Sequence, residues 1–147
     1  MDITTGTVTY PPMYVHISKR VYLAGGMHNN WRKIITSNLK NTYYNFIDPM
    51  DTKMKNADQY TYWDLKSIEQ CDIVVGFMEI SNPSGYGLNL ELGYAKALGK
   101  TIILIVPEDF TRNDSRSRYF GMARVCADVI VHTLSDCSDF LKGIEYK

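Results

Sequence analysis

The chain has 147 residues, 45% of them apolar, and 16 basic side chains balance 16 acidic ones. That length suits one domain able to bury about two-thirds of its unfolded surface, and the zero net charge argues against a nucleic-acid-binding surface. No apolar run reaches the roughly 18 residues of a membrane span, so neither nucleic acid nor membrane is an expected partner.

The first twenty residues lack the apolar core and basic start of a signal peptide. Within them, residues 1–17 carry two adjacent prolines and mixed polarity, and read as an N-terminal arm. The first strand is predicted over residues 20–24, stopped by Gly25 and Gly26. A helix follows over about 30–39, with Trp31, Ile34, Ile35 and Leu39 on its apolar face. Residues 43–47 read as a short strand that ends at Asp48 and Pro49. Residues 51–59 are polar and read as a loop, and 60–70 as a helix with Leu65 and Ile68 turned inward. The strongest strand is 72–77, a short apolar run of the kind buried on both faces of a parallel sheet.

Residues 82–87 form a loop with two glycines that opens onto a helix over 88–98, which Gly99 ends. Residues 101–106 are the next buried strand, closed by Pro107. A polar segment over 108–118 precedes another helical piece. Residues 129–132 are a fifth strand, and a helix forms the tail.

Strand and helix alternate with short connections. The expected fold is therefore a single α/β domain, a flavodoxin/Rossmann-like three-layer sandwich with a parallel sheet of about five strands. In such sheets ligands lie beyond the carboxyl ends of the strands. Residues 25–30, 78–87 and 107–118 become the candidate loops, with Gly25, Gly26, Ser84, Gly85 and Gly87 as substrate-binding positions.

Cys71, Cys126 and Cys137 match no metal spacing, and their odd number fits a reducing, cytoplasmic setting. The three histidines are too dispersed for a metal site, and only His28 falls in a candidate loop. No cofactor or metal is expected.

Glu91 falls in the first turn or two of the helix after the glycine loop. The amides there favour a negative charge, so Glu91 is expected to stay ionised near neutral pH. Taken alone, it is most simply explained by helix electrostatics. Asp64 lies within a helix, where aspartate is not favoured, and beside Trp63. A carboxyl among aromatic side chains has a raised pKa and can donate a proton, although a solvated surface aspartate is the plainer alternative. Asp72, at a strand's start, reads as a structural cap. A nucleophilic carboxylate with a protonated one is a pair that breaks glycosidic bonds.

The segment from Gly87 through Glu91, Leu92, Gly93, Tyr94 and Ala95, followed by Leu98, Gly99 and Lys100, resembles the nucleoside 2-deoxyribosyltransferase family. Asp64, Leu65, Ile68 and Asp72 match its D-L-x-x-I-x-x-x-D segment, and residues 21–25 look like its first strand. The resemblance implies that Glu91 is the nucleophile, Asp64 the acid on the base side, and Tyr22 the group that orients Glu91. It also implies nucleoside and nucleobase partners and a homo-oligomer with shared active sites.

Two departures from the family pattern oppose each other. The acidic residue that usually binds the sugar 5′-hydroxyl is replaced by Gly85, preceded by Ser84. Related 5′-monophosphate N-glycosidases carry a serine in this stretch, yet the loop over 25–30 lacks their phosphate-binding serine and arginine. Arg32, Arg112, Arg116 and Arg118 are candidate sources of positive charge. Asp128 corresponds to the position through which a neighbouring subunit reaches the 5′ end, and there it would favour a hydroxyl. The leading expectation is transfer of a deoxyribosyl group between bases. The alternatives are hydrolysis of a nucleoside 5′-monophosphate and a non-catalytic nucleotide-binding module.

Overall fold

A computed structural model describes residues 18–145; the arm expected at 1–17 lies outside the described residues. The apolar runs become five strands: β1 (Arg20–Gly25), β2 (Asn45–Ile47), β3 (Ile73–Phe77), β4 (Thr101–Ile105) and β5 (Val129–Val131). They form one parallel sheet in the order β2-β1-β3-β4-β5. Six α-helices alternate with them: α1 (Trp31–Asn38), α2 (Ala57–Gln70), α3 (Tyr86–Ala97), α4 (Glu108–Asn113), α5 (Gly121–Cys126) and α6 (Leu134–Gly143). Among the described residues, no helix is long and apolar enough to cross a membrane.

Because strand side chains alternate between faces, the sheet has an apolar layer on each side. Tyr22, Ala24, Val74, Ile102 and Leu104 pack with Ile68 of α2, Leu88, Leu92 and Ala95 of α3, and Ala123 of α5. On the other face Val21, Leu23, Val75, Ile103 and Ile105 pack with Trp31 and Ile35 of α1 and with Cys137 and Leu141 of α6. The expected three-layer α/β sandwich is therefore the observed one. Strand order reverses between β1 and β3, and the crevice outside their carboxyl ends is where such sheets bind ligands.

Several boundaries differ from the sequence reading. Helix α2 starts at Ala57, inside the expected polar loop, because the Asn56 side chain accepts from Asp58 N at 2.9 Å. Such a cap supplies a partner for one of the first helical amides. Helix α3 begins at Tyr86, after Gly85 turns the chain at φ 74°, a left-handed conformation that glycine adopts without steric cost. The polar stretch after Pro107 is helical as well: Phe110, fully buried, anchors α4, and a 3-10 turn over Ser115–Phe120 follows.

Candidate active site

Tyr22 stands in the interior strand β1 with its side chain beneath α3 and no exposure to solvent. Its hydroxyl donates to Glu91 Oε2 in a short hydrogen bond. Asp64 of α2 interacts with the same hydroxyl, so two carboxyl groups from two helices converge on one phenol. Burial, together with the two carboxylates, raises the Tyr22 pKa well above its ordinary value and keeps the hydroxyl a proton donor.

Glu91 is 9% exposed. Burial pushes its pKa up to about 7; the Tyr22 hydrogen bond and the Arg32 charge work against that rise, whereas Asp64 adds to it. This corrects the expectation that helix amides hold Glu91 ionised near neutral pH. With α3 starting at Tyr86, Glu91 lies in the second turn, beyond the amides that lack an intrahelical partner, and loss of water dominates. Asp64, half-buried, is also raised, chiefly by desolvation.

The floor of the site is fastened by Arg32, which is 3% exposed. Its guanidinium donates to the carbonyls of Leu23, Gly25 and Gly26 at 3.2, 3.0 and 2.8 Å. It also pairs with Asp48 at 3.3 Å. Beside it, Glu79 is buried: Oε2 accepts from Asn29 at 2.5 Å, and Oε1 has no hydrogen-bond partner among the described residues. The second loop is shaped by Asn82, whose Oδ1 accepts from the amides of Gly85 and Ser84 at 3.0 and 3.3 Å. Arg116 supports this loop from behind, donating to the carbonyls of Asn82 and Ile80.

These elements enclose a cleft of about 790 Å³. Asp64, Glu91, Gly25, Gly26, Ser84, Gly85 and Gly87 line it, and Tyr22 lies behind Glu91. His28 and Arg32 also reach the cleft, whereas Arg112, Arg116 and Arg118 do not line it. Asp128 is not brought to the cleft within this chain. It precedes β5 at the opposite end of the sheet, where Oδ2 accepts from Ile102 N at 2.8 Å. Asp72 caps β1 instead of reacting, accepting from Arg20 N at 2.8 Å.

Sequence reasoning missed the wall formed by Pro49, Met50, Thr52, Met54, Tyr60 and Thr61. Its signal was present as Met50 and Met54, large apolar residues in a stretch without strand or helix periodicity. Among the described residues, no group of three or more metal-ligating side chains is assembled.

Comparison with known proteins identifies a family and a shared fold. Residues 18–110 match the family model described as nucleoside 2-deoxyribosyltransferase like. A CMP N-glycosidase from Clostridium botulinum shares the fold with a TM-score of 0.60 at 23% identity, covering 86% of this chain and 99% of that one. A conserved protein from Enterococcus faecalis V583 superposes with a TM-score of 0.65 at 14% identity, over 86% and 99% of the two chains. A 2-desoxiribosyltransferase from Leishmania mexicana gives 0.52 at 22% identity, over 62% of this chain and 69% of its own. At these identities the likeness establishes the fold. No curated protein sequence matches the chain. The family match spans more than half of the chain, which therefore belongs to the nucleoside 2-deoxyribosyltransferase-like family and is an enzyme of that kind.

Proposed function

We propose that this member of the nucleoside 2-deoxyribosyltransferase-like family cleaves the N-glycosidic bond of a 2′-deoxynucleoside and transfers the deoxyribosyl group to another nucleobase. The observation that carries the reading is the convergence of Glu91 and Asp64 on the Tyr22 hydroxyl at one cleft. Glu91, once ionised, attacks C1′; the C1′–N bond breaks and its electron pair leaves with the base, which takes a proton from Asp64. The resulting glycosyl ester on Glu91 is opened by a nitrogen of the incoming base. That base returns a proton to Asp64, and Glu91 leaves as carboxylate.

Hydrolysis of a nucleoside 5′-monophosphate is the second reading. It is favoured by Ser84, whose hydroxyl accepts from Tyr86 N and keeps its own proton to donate in the stretch where transferases carry an acid, and by the fold shared with the clostridial CMP N-glycosidase. Against it stands the cation inventory. Among the described residues, Arg32 is the one Lys or Arg lining the cleft, and its guanidinium is committed to carbonyls and Asp48.

A homo-oligomer is part of the proposal. Tyr86, Leu90, Tyr119, Met122 and Val125 are exposed on or beside α3 and α5, and Tyr86 and Leu90 also rim the cleft. A second copy seated there would cover apolar surface and narrow the mouth of the site. Asp128 is proposed to act, if at all, in such a neighbouring site.

Incubation with a deoxynucleoside and a second free base tests the reading. Formation of the exchanged nucleoside is the expected result. Base release from monophosphates without exchange would establish the hydrolase instead, and no base release from either class would sink both.

A further inference from the structure

Three methionines gather on the cleft. Met27, Met50 and Met54 are 47%, 50% and 40% exposed, and Tyr60 beside them is 43% exposed. Large apolar side chains grouped in a concave site mark a surface that a ligand covers.

Their placement identifies which part of the ligand they meet. Tyr60, Thr61, Asp64 and Leu65 recur on one face of α2, and the segment carrying Pro49, Met50, Thr52 and Met54 leads into that helix. Glu91 comes from the neighbouring helix α3 and lines the same cleft. Displacement at C1′ expels the leaving group on the face opposite the nucleophile. A sugar presented to Glu91 therefore directs its base away from α3, toward the wall that carries Asp64 and the methionines.

The chemistry of that wall limits how it reads a base. Its polar groups are the side chains of His28, Thr52, Thr61 and Asp64 and the Tyr60 hydroxyl at the tip of an apolar ring, and Asp64 is engaged in proton transfer under the reading above. Methionine is unbranched and polarizable, and it fills gaps against differently shaped partners.

We propose that Met27, Met50 and Met54, with Tyr60 and Leu65, form an apolar clamp that grips the leaving base by its faces and selects bases carrying apolar substituents. This rests on the glycosidic reading and specifies its substrate class. Bases are distinguished by the hydrocarbon on their edge more than by their pattern of donors and acceptors.

The test uses two graded series with the full chain: 2′-deoxyuridine, thymidine and 5-ethyl-2′-deoxyuridine, and deoxyadenosine with its N6-methyl and N6-ethyl derivatives. Base release is measured with each, and binding of the corresponding free bases by calorimetry. In at least one series kcat/KM is expected to rise about 3- to 4-fold per added carbon, the effect of burying one methylene. The double variant Met50→Ser, Met54→Ser should flatten the rise, and Met27→Ser should reduce it; all three side chains are exposed enough for serine to leave the core intact.

Series that are flat or falling in both families, or a slope that the variants leave unchanged, overturn the clamp while base release keeps the glycosidic reading. Graded binding of free bases without release keeps the clamp and overturns that reading. Absence of both release and binding overturns the two together.

Discussion

The Tyr22 hydroxyl donates to Glu91 Oε2 across 69 positions of sequence, joining strand β1 to the helix that carries the proposed nucleophile. A donor locked in β1 favours the ionised carboxylate and holds it in one orientation. Tyr22→Phe removes that donor, so the Glu91 pKa should climb further above about 7. The acid limb of the kcat/KM profile is expected to move to higher pH, with about a 10- to 100-fold loss at neutral pH. An unmoved limb, read from rates between pH 5 and 9, would remove Tyr22 from the mechanism.

Glu91→Gln should reduce turnover by several orders of magnitude while the substrate still binds, as measured by single-turnover rates beside calorimetric binding. It should also change stability. In the folded chain Glu91 holds its proton up to about pH 7, against an ordinary value of 4.5. Between these values the native state binds more protons than the unfolded state, so native stability falls as pH rises through the window. Glu91→Gln abolishes this dependence and is expected to stabilise the fold above pH 7 by up to about 3 kcal/mol. Denaturant melts at pH 5 and pH 8 give the comparison, and equal pH dependence in both proteins would contradict the buried charge.

Asp64→Asn tests the proton donor through the leaving group. Natural bases leave poorly without a proton, so base release is expected to fall about 100-fold or more. A deoxyribosyl fluoride, whose leaving group needs little protonation, should react with the variant within about 10-fold of the parent. Equal losses on both substrates would show that Asp64 positions the sugar instead of protonating the base.

Gly26→Ala probes the packing of the first loop. A Cβ there would overlap the Glu79 carboxylate, which is buried and held by Asn29. Displacing it should cost about 1–3 kcal/mol in stability and loosen the cleft, raising KM for the nucleoside. The double variant Gly26→Ala, Glu79→Ala should recover most of the stability, as a thermal melt will show.

Much of this was legible because the informative patterns are short in range. The runs ending at Ala24, Phe77 and Val106 announce buried parallel strands, and the ordered motifs around Tyr22, Asp64 and Glu91 point to one chemistry. What stayed hidden depends on contacts between distant segments. Nothing near Glu91 in sequence says that burial outweighs helix amides, because the desolvating layers come from β1 and α2. Met54 looked like part of a polar loop, and Met50 fell between elements, until the folded chain placed both on the cleft. Arg32 offered itself as a ligand for phosphate, but the carbonyls of β1 and Asp48 claim it.

That arrangement of Arg32 makes the response to ionic strength diagnostic. The cation that acts on the carboxylate pair is 3% exposed and held by backbone carbonyls and Asp48 at the floor of the cleft, and buried charge pairs are screened far less than exposed ones. The midpoint of Glu91 ionisation should therefore stay nearly constant from dilute buffer to molar salt.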